Sequence, residues 1–139
     1  MADFNLHGTD RLSSLDLSKN NLRDEGIAEL SKPLRCCKFL VSLNVSSNFI
    51  SPKGFLHLSI ALSRNESLCI LNVSTQNGLN RNRLQKLGGQ YMTSLLGTLI
   101  QVLNLNSTSL GDQGVNVIFE NLAHRIENKE ETHVEILEL

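Results

Sequence analysis

The chain has 139 residues, 40% of them hydrophobic, with 13 Lys and Arg against 14 Asp and Glu and a formal net charge of −1. That length and apolar content suit one domain with a real core, and the balanced charge lacks the basic footprint of a nucleic-acid binder. No basic start with an apolar stretch marks a secretory leader, and no run of roughly 18 apolar residues marks a membrane span. The sequence therefore reads as soluble and cytoplasmic, with neither nucleic acid nor membrane as a partner. Its three cysteines, two of them adjacent at Cys36 and Cys37 and the third at Cys69 among apolar residues, suit reduced thiols better than a disulfide framework. A metal site is disfavoured too, because no CxxC spacing occurs and no His is near these cysteines in sequence.

Along the chain, residues 1–11 carry Phe4 and Leu6 and read as a short N-terminal cap. The segment Leu12-x-x-Leu15-x-Leu17-x-x-Asn20-x-Leu22 then recurs as Leu40-x-x-Leu43-x-Val45-x-x-Asn48-x-Ile50, offset by 28 at every position. The match continues through Gly26 and Gly54, Leu30 and Leu58, and Leu34 and Leu62. A third unit opens at Leu68-x-x-Leu71-x-Val73 and a fourth at Ile100-x-x-Leu103-x-Leu105, running on through Leu110, Gly114, Ile118 and Leu122; Val134-x-x-Leu137-x-Leu139 begins a fifth. The units are 12–39, 40–67, 68–99 and 100–133, with a partial unit at 134–139.

Each unit changes period in mid-course. The LxL core alternates like a strand, whereas Gly26, Leu30 and Leu34 recur every four residues like one helix face. Ser51-Pro52 suits an N-cap followed by proline at the first helical position, and Asp24 and Asp112 place carboxylates near the positive end of a helix dipole. Parallel strands stack about 4.8 Å apart while packed helices need roughly 8–10 Å, so such a stack curves with its strands inside.

The repeat resembles the leucine-rich-repeat family, specifically its intracellular ribonuclease-inhibitor-like subclass with long helical units, over about residues 12–139. The resemblance implies an α/β fold: a right-handed leucine-rich-repeat solenoid with parallel strands on the concave face and helices on the convex face. It also implies protein binding without catalysis. Asn20 and Asn48 follow their strands where the chain turns inward, and their amides are expected to satisfy backbone groups that the bend leaves unpaired, as the family's asparagine ladder does. In the third unit one inserted residue would let Asn77 take the ladder place; the fourth has Thr108 there, so the ladder is expected to weaken.

The third unit reaches 32 residues and the fourth 34. Inserted residues mark loops on one face. In the third, Asn80-Arg81-Asn82-Arg83 with Gly88-Gly89 is expected between strand and helix, offering Arg81 and Arg83 on a protruding segment, either as a contact site or as a solvated loop. The fourth carries its surplus around Ile126 to Glu131, as a charged, solvated helix end.

Alternation along the strands aligns side chains into columns on the concave face. The central column is Asp16, Asn44, Asn72, Asn104 and Glu138. One flank is Ser14, Ser42, Ile70, Val102 and Ile136, with an apolar stripe confined to the later units; the other is Ser18, Ser46, Ser74 and Asn106. Asp16, Asn44, Ile70, Asn72, Val102, Asn104 and Asn106 are the candidate partner-binding residues, although β-branched residues at 70, 102 and 136 also suit strands for packing alone. Trp is absent and aromatics are 4% of the chain, so interface hot spots are scarce.

The last strand, Val134 to Leu139, has no helix after it and an open edge, expected either because the chain is a fragment of a longer repeat protein or because it self-associates there. No residues form a catalytic constellation. His7, His57, His124 and His133 fall at scattered positions, no phosphate loop or HExxH occurs, and the Asn-x-Ser/Thr sequons at Asn44, Asn65, Asn72 and Asn106 are incidental to the repeat. No cofactor is implied. The expected function is a scaffold binding an unidentified protein. The resemblance also admits an enzyme regulator, either a small-GTPase activator or an inhibitor that occludes an active site, the latter requiring acidic groups that only Asp16 and Glu138 offer in the central column.

Overall fold

The computed structural model describes residues 12–139; the expected N-terminal cap, with Phe4, Leu6 and His7, lies outside the described residues. Five short strands alternate with four helices. They are β1 (Ser14–Asp16), α1 (Arg23–Leu34), β2 (Ser42–Asn44), α2 (Pro52–Leu62), β3 (Ile70–Asn72), α3 (Gln85–Met92), β4 (Val102–Asn104), α4 (Gly111–Glu127) and β5 (Ile136–Glu138), with a 3₁₀ turn at Thr93–Leu95 extending α3. The sheet is wholly parallel, in the order β1-β2-β3-β4-β5. Its register joins Leu15 to Leu43, Leu43 to Leu71, Leu71 to Leu103 and Leu103 to Leu137. Each strand lies beside the next in sequence because one helix returns the chain to the sheet.

The leucines of the LxL core carry the packing. Leu43, Val45, Leu71, Val73, Leu103 and Leu105 are buried between sheet and helices, where Leu30, Leu34, Leu58, Leu62, Met92, Leu96 and Ile118 meet them. Each such side chain contributes about 1.5–3 kcal/mol relative to leaving it in water, so the core column is the main source of stability.

The helix starts follow the expected chemistry with one addition. Ser51 is extended and its hydroxyl accepts from the Lys53 N–H at 3.3 Å, with Pro52 at the first helical position. Asp24 lies in the first turn of α1, and its carboxylate also accepts from the Ser51 N–H at 2.8 Å and from the Ser51 hydroxyl. One carboxylate thus ties the starts of two successive helices together.

The two long units depart from regularity in different places. In the fourth, α4 runs to Glu127 and the turn beyond it is held by Arg125, which lies 3.6 Å from Glu130 and donates to the Glu131 carbonyl. In the third, Gly88 and Gly89 are buried inside α3 and not in a loop. The reason is packing: α3 and α4 approach so closely that a Cβ on Gly89 would strike the backbone of Gly114. Among the described residues no helix is long and apolar enough to cross a membrane.

Candidate functional site

The register aligns the central column as expected, with Asp16, Asn44, Asn72, Asn104 and Glu138 on neighbouring strands. Each column residue through Asn104 turns its Oδ1 back on its own chain. Asp16 accepts from Ser18 N–H at 2.8 Å, Asn44 from Ser46 at 3.0 Å, Asn72 from Ser74 at 3.0 Å and Asn104 from Asn106 at 2.9 Å. These side-chain bonds form a tight turn at the end of each of the four strands, while backbone bonds between units continue beyond it, as from Lys19 N–H to the Ser46 carbonyl. They also polarise the surface, since an amide whose oxygen is engaged keeps its Nδ2 hydrogens. Among the described residues, the Nδ2 groups of Asn72 and Asn104 have no acceptor, so the middle of the face offers donors. At one end the hydroxyl and N–H of Ser18 hold the Asp16 carboxyl below the ordinary aspartate value, with Asn44 and Lys19 helping. At the other end Glu138 is engaged by the Asn106 amide at 2.9 Å.

Beside this column, Ile70 and Ile136 are 39% and 49% exposed, and Val102 between them is half-buried. The other flank differs from expectation. Ser46 and Ser74 are buried: the Ser46 hydroxyl accepts from Gln76 Nε2 at 2.7 Å and the Ser74 hydroxyl donates to Asn72 Oδ1 at 2.6 Å. Gln76 begins the third-unit insertion, which thus covers Ser46.

The ladder position in the third unit is Asn82, not Asn77. Asn77 is exposed in a left-handed conformation (φ 52°), whereas Asn82 is 0% exposed. Asn82 Oδ1 accepts from the N–H groups of Asn48 and Ile50, both at 2.9 Å, and its Nδ2 donates to the carbonyls of Val45, Val73 and Ser74. Asn48 makes the equivalent bonds one unit earlier, to the Leu17 carbonyl and from the Leu22 N–H. Asn20 is exposed, and among the described residues its side chain bonds only the Leu17 and Ser18 carbonyls of its own turn, while Thr108 bonds the Leu105 carbonyl. The ladder is therefore strongest in the middle of the stack and reduced at Asn20 and Thr108. Spacing carried a signal: Asn82-x-Leu84-x-x-x-Gly88 repeats Asn20-x-Leu22-x-x-x-Gly26.

The insertion proper is thus 76–81, and it is pinned rather than loose. Its Gln76 N–H donates to the Ser47 hydroxyl at 2.8 Å, the Asn80 carbonyl accepts from Phe49 N–H at 3.0 Å, and Asn80 Nδ2 reaches the Asn20 carbonyl at 2.9 Å, two units away. Arg83 N–H donates to the Ile50 carbonyl at 2.7 Å. Arg81 and Arg83 are exposed, and they border a cleft of about 480 Å³ with Arg23, Phe49 and Ser51. The Arg23 guanidinium sits 5.0 Å from the centroid of the Phe49 ring.

Residues 12–31 match the family described as Leucine Rich repeat. The fold is a leucine-rich-repeat solenoid. Among curated proteins the chain is 33% identical over 118 residues to a protein phosphatase 1 regulatory subunit 37 homolog of Caenorhabditis elegans, and 31% identical over 118 residues to that of Caenorhabditis briggsae. Each match covers 82% of this chain but only 12% of the relative, so the chain spans a small part of those proteins.

Two contributors to the leucine-rich-repeat surface escaped sequence reasoning. Arg23 and Phe49 belong to different units, and no local pattern joins them. Asn65, noted only as a sequon, is buried and structural: its Nδ2 donates to the Leu34 and Cys37 carbonyls and its Oδ1 accepts from Ser67 and Leu68. Of the histidines described, His57 and His124 are exposed and His133 is half-buried against the Thr98 carbonyl. Cys36, Cys37 and Cys69 are free thiols, exposed, buried and half-buried in turn.

Proposed function

We propose that this chain is a non-catalytic protein-binding module that regulates an enzyme, engaging its partner through the strand face and the third-unit insertion. The observation that carries the reading is the aligned strip of exposed and half-buried groups on the sheet. It pairs an apolar stripe, Ile70, Val102 and Ile136, with a polar column of Asp16, Asn44, Asn72 and Asn104, edged by Asn106. A rigid surface of this kind binds at little ordering cost, because its groups are already placed. Arg81 and Arg83 extend the contact beyond the sheet.

The enzyme we infer is a phosphatase of the protein phosphatase 1 type, because the two curated relatives are named as regulatory subunits of that enzyme and match across 82% of this chain. Units of 28 residues with full helices support the ribonuclease-inhibitor-like subclass, and the free thiols suit a cytoplasmic, reducing setting.

Binding of the immobilised chain to the catalytic subunit of protein phosphatase 1, read by surface plasmon resonance and by turnover of a phosphopeptide, tests the proposal. An Ile70→Asp/Val102→Asp variant that keeps its far-ultraviolet circular dichroism is expected to bind at least about tenfold more weakly. Unchanged binding and unchanged regulation by that variant would remove the strand face from the function.

A further inference from the structure

Three arginines from two units, distant in sequence, border one cleft, and their placement is enforced. Arg23 opens α1 with its N–H on the Asn48 carbonyl, and its guanidinium is held against the Phe49 ring. Arg83 is anchored by its own N–H on Ile50, and Arg81 follows Asn80, which is tied to both Phe49 and Asn20. None of the three forms a salt bridge with a described residue. Asp24, the nearest acid in sequence to Arg23, is occupied by the Ser51 N–H and hydroxyl. The cleft therefore concentrates uncompensated positive charge in a chain whose net charge is −1.

We propose that this cleft is a docking site for an acidic segment of a protein partner, with carboxylate side chains seated among Arg23, Arg81 and Arg83 and the apolar part of the segment on the Phe49 ring. The proposal rests on the protein-binding reading above and adds the chemistry of the partner. Planar guanidinium groups match carboxylates in two-pronged hydrogen bonds. Phe49, 40% exposed at the rim, supplies apolar contact that inorganic anions cannot use. Arg81 also borders a second cleft of about 420 Å³ with Thr75, Ser107 and Ser109, which gives an extended segment a path from the arginines past the exposed Ser107 and Ser109, beyond the ends of β3 and β4.

Fluorescence anisotropy with a labelled peptide of alternating Asp, Glu and Leu tests the site on the whole chain, beside a Gln/Asn/Leu peptide of equal length and a phosphoserine peptide. The acidic peptide is expected to bind, more weakly as salt rises, and to lose about tenfold or more in affinity to an Arg81→Gln/Arg83→Gln variant or to Arg23→Gln. An Arg81→Lys/Arg83→Lys variant, which keeps the charge without the planar fork, is expected to fall between. Equal binding of the acidic peptide by wild type and Gln variants, equal binding of the neutral peptide, or binding of the phosphoserine peptide alone would each overturn the proposal. Ile70→Asp/Val102→Asp is expected to retain the acidic peptide; if the wild-type chain fails to bind the phosphatase while it still binds the acidic peptide, the phosphatase reading falls and the cleft stands.

Discussion

The second and third units share a strand, a ladder asparagine and a helix, yet one is all framework and the other carries an appendage. In the second unit Asn48 follows Val45 by three residues, and in the third Asn82 follows Val73 by nine. The six intervening residues leave the core undisturbed because the chain departs and returns at adjacent points, with Thr75 bonded directly to Asn82 through its hydroxyl. What they change is the surface: they bury Ser46, reach back to Asn20 and set Arg81 beside Arg23. An insertion at a turn is tolerated when the groups on either side of it still meet, and it is then free to acquire contacts of its own.

That comparison is sharpest at the ladder. Asn82→Ala strands two buried N–H donors and the Val73 carbonyl, and a loss of about 3 kcal/mol is expected from urea unfolding, against about 0.5 kcal/mol or less for Asn77→Gly, which suits the left-handed backbone at 77. Equal effects would show that the ladder does not pass through residue 82. Gly89→Ala comes next. Its new Cβ meets the Gly114 backbone, which has no side chain to yield, so about 2 kcal/mol is expected from thermal unfolding; Gly26→Ala, facing only the Leu22 side chain, should cost less. A third test removes residues 76–81. Val73-Ser74-Thr75 would then run straight into Asn82-Arg83-Leu84, matching Val45-Ser46-Ser47-Asn48-Phe49-Ile50, and stability should change by about 1 kcal/mol or less while affinity for the acidic peptide falls. A collapse of the fold would make the insertion part of the framework.

The smallest effect concerns pH at the regular end. Because Asp16 is held below its ordinary value mainly by Ser18, it favours the folded state at pH above about 4, where it is ionised in both states; that contribution disappears as pH falls through the lowered value. Asp16→Asn should therefore flatten the decline of the urea midpoint as pH falls below about 4, slightly, since the group is exposed. An unchanged decline would show that Ser18 does not discriminate between the two protonation states.

The concave columns were legible in the sequence because a strand alternates with period two and a repeat fixes which residues fall opposite each other. The ladder in the third unit was misread as Asn77 because one inserted residue was the shortest change that brought an asparagine near the expected place. Asn82 was favoured by the downstream spacing to Leu84 and Gly88, which reads the same turn from its other end. Ser46 reads as exposed because alternation describes a bare strand and knows nothing of the Gln76 side chain laid over it.

The sequence by itself determined the period, the strand register, the leucine core and the capped start of α2, all of which depend on residues near one another or one repeat apart. Tertiary structure decided which asparagine fills the ladder, why Gly88 and Gly89 belong to a helix, and how Arg23, Phe49, Arg81 and Arg83 come together. Those outcomes depend on backbone groups left unpaired in a neighbouring turn and on the distance between packed helices, which are properties of two segments at once and have no local signature.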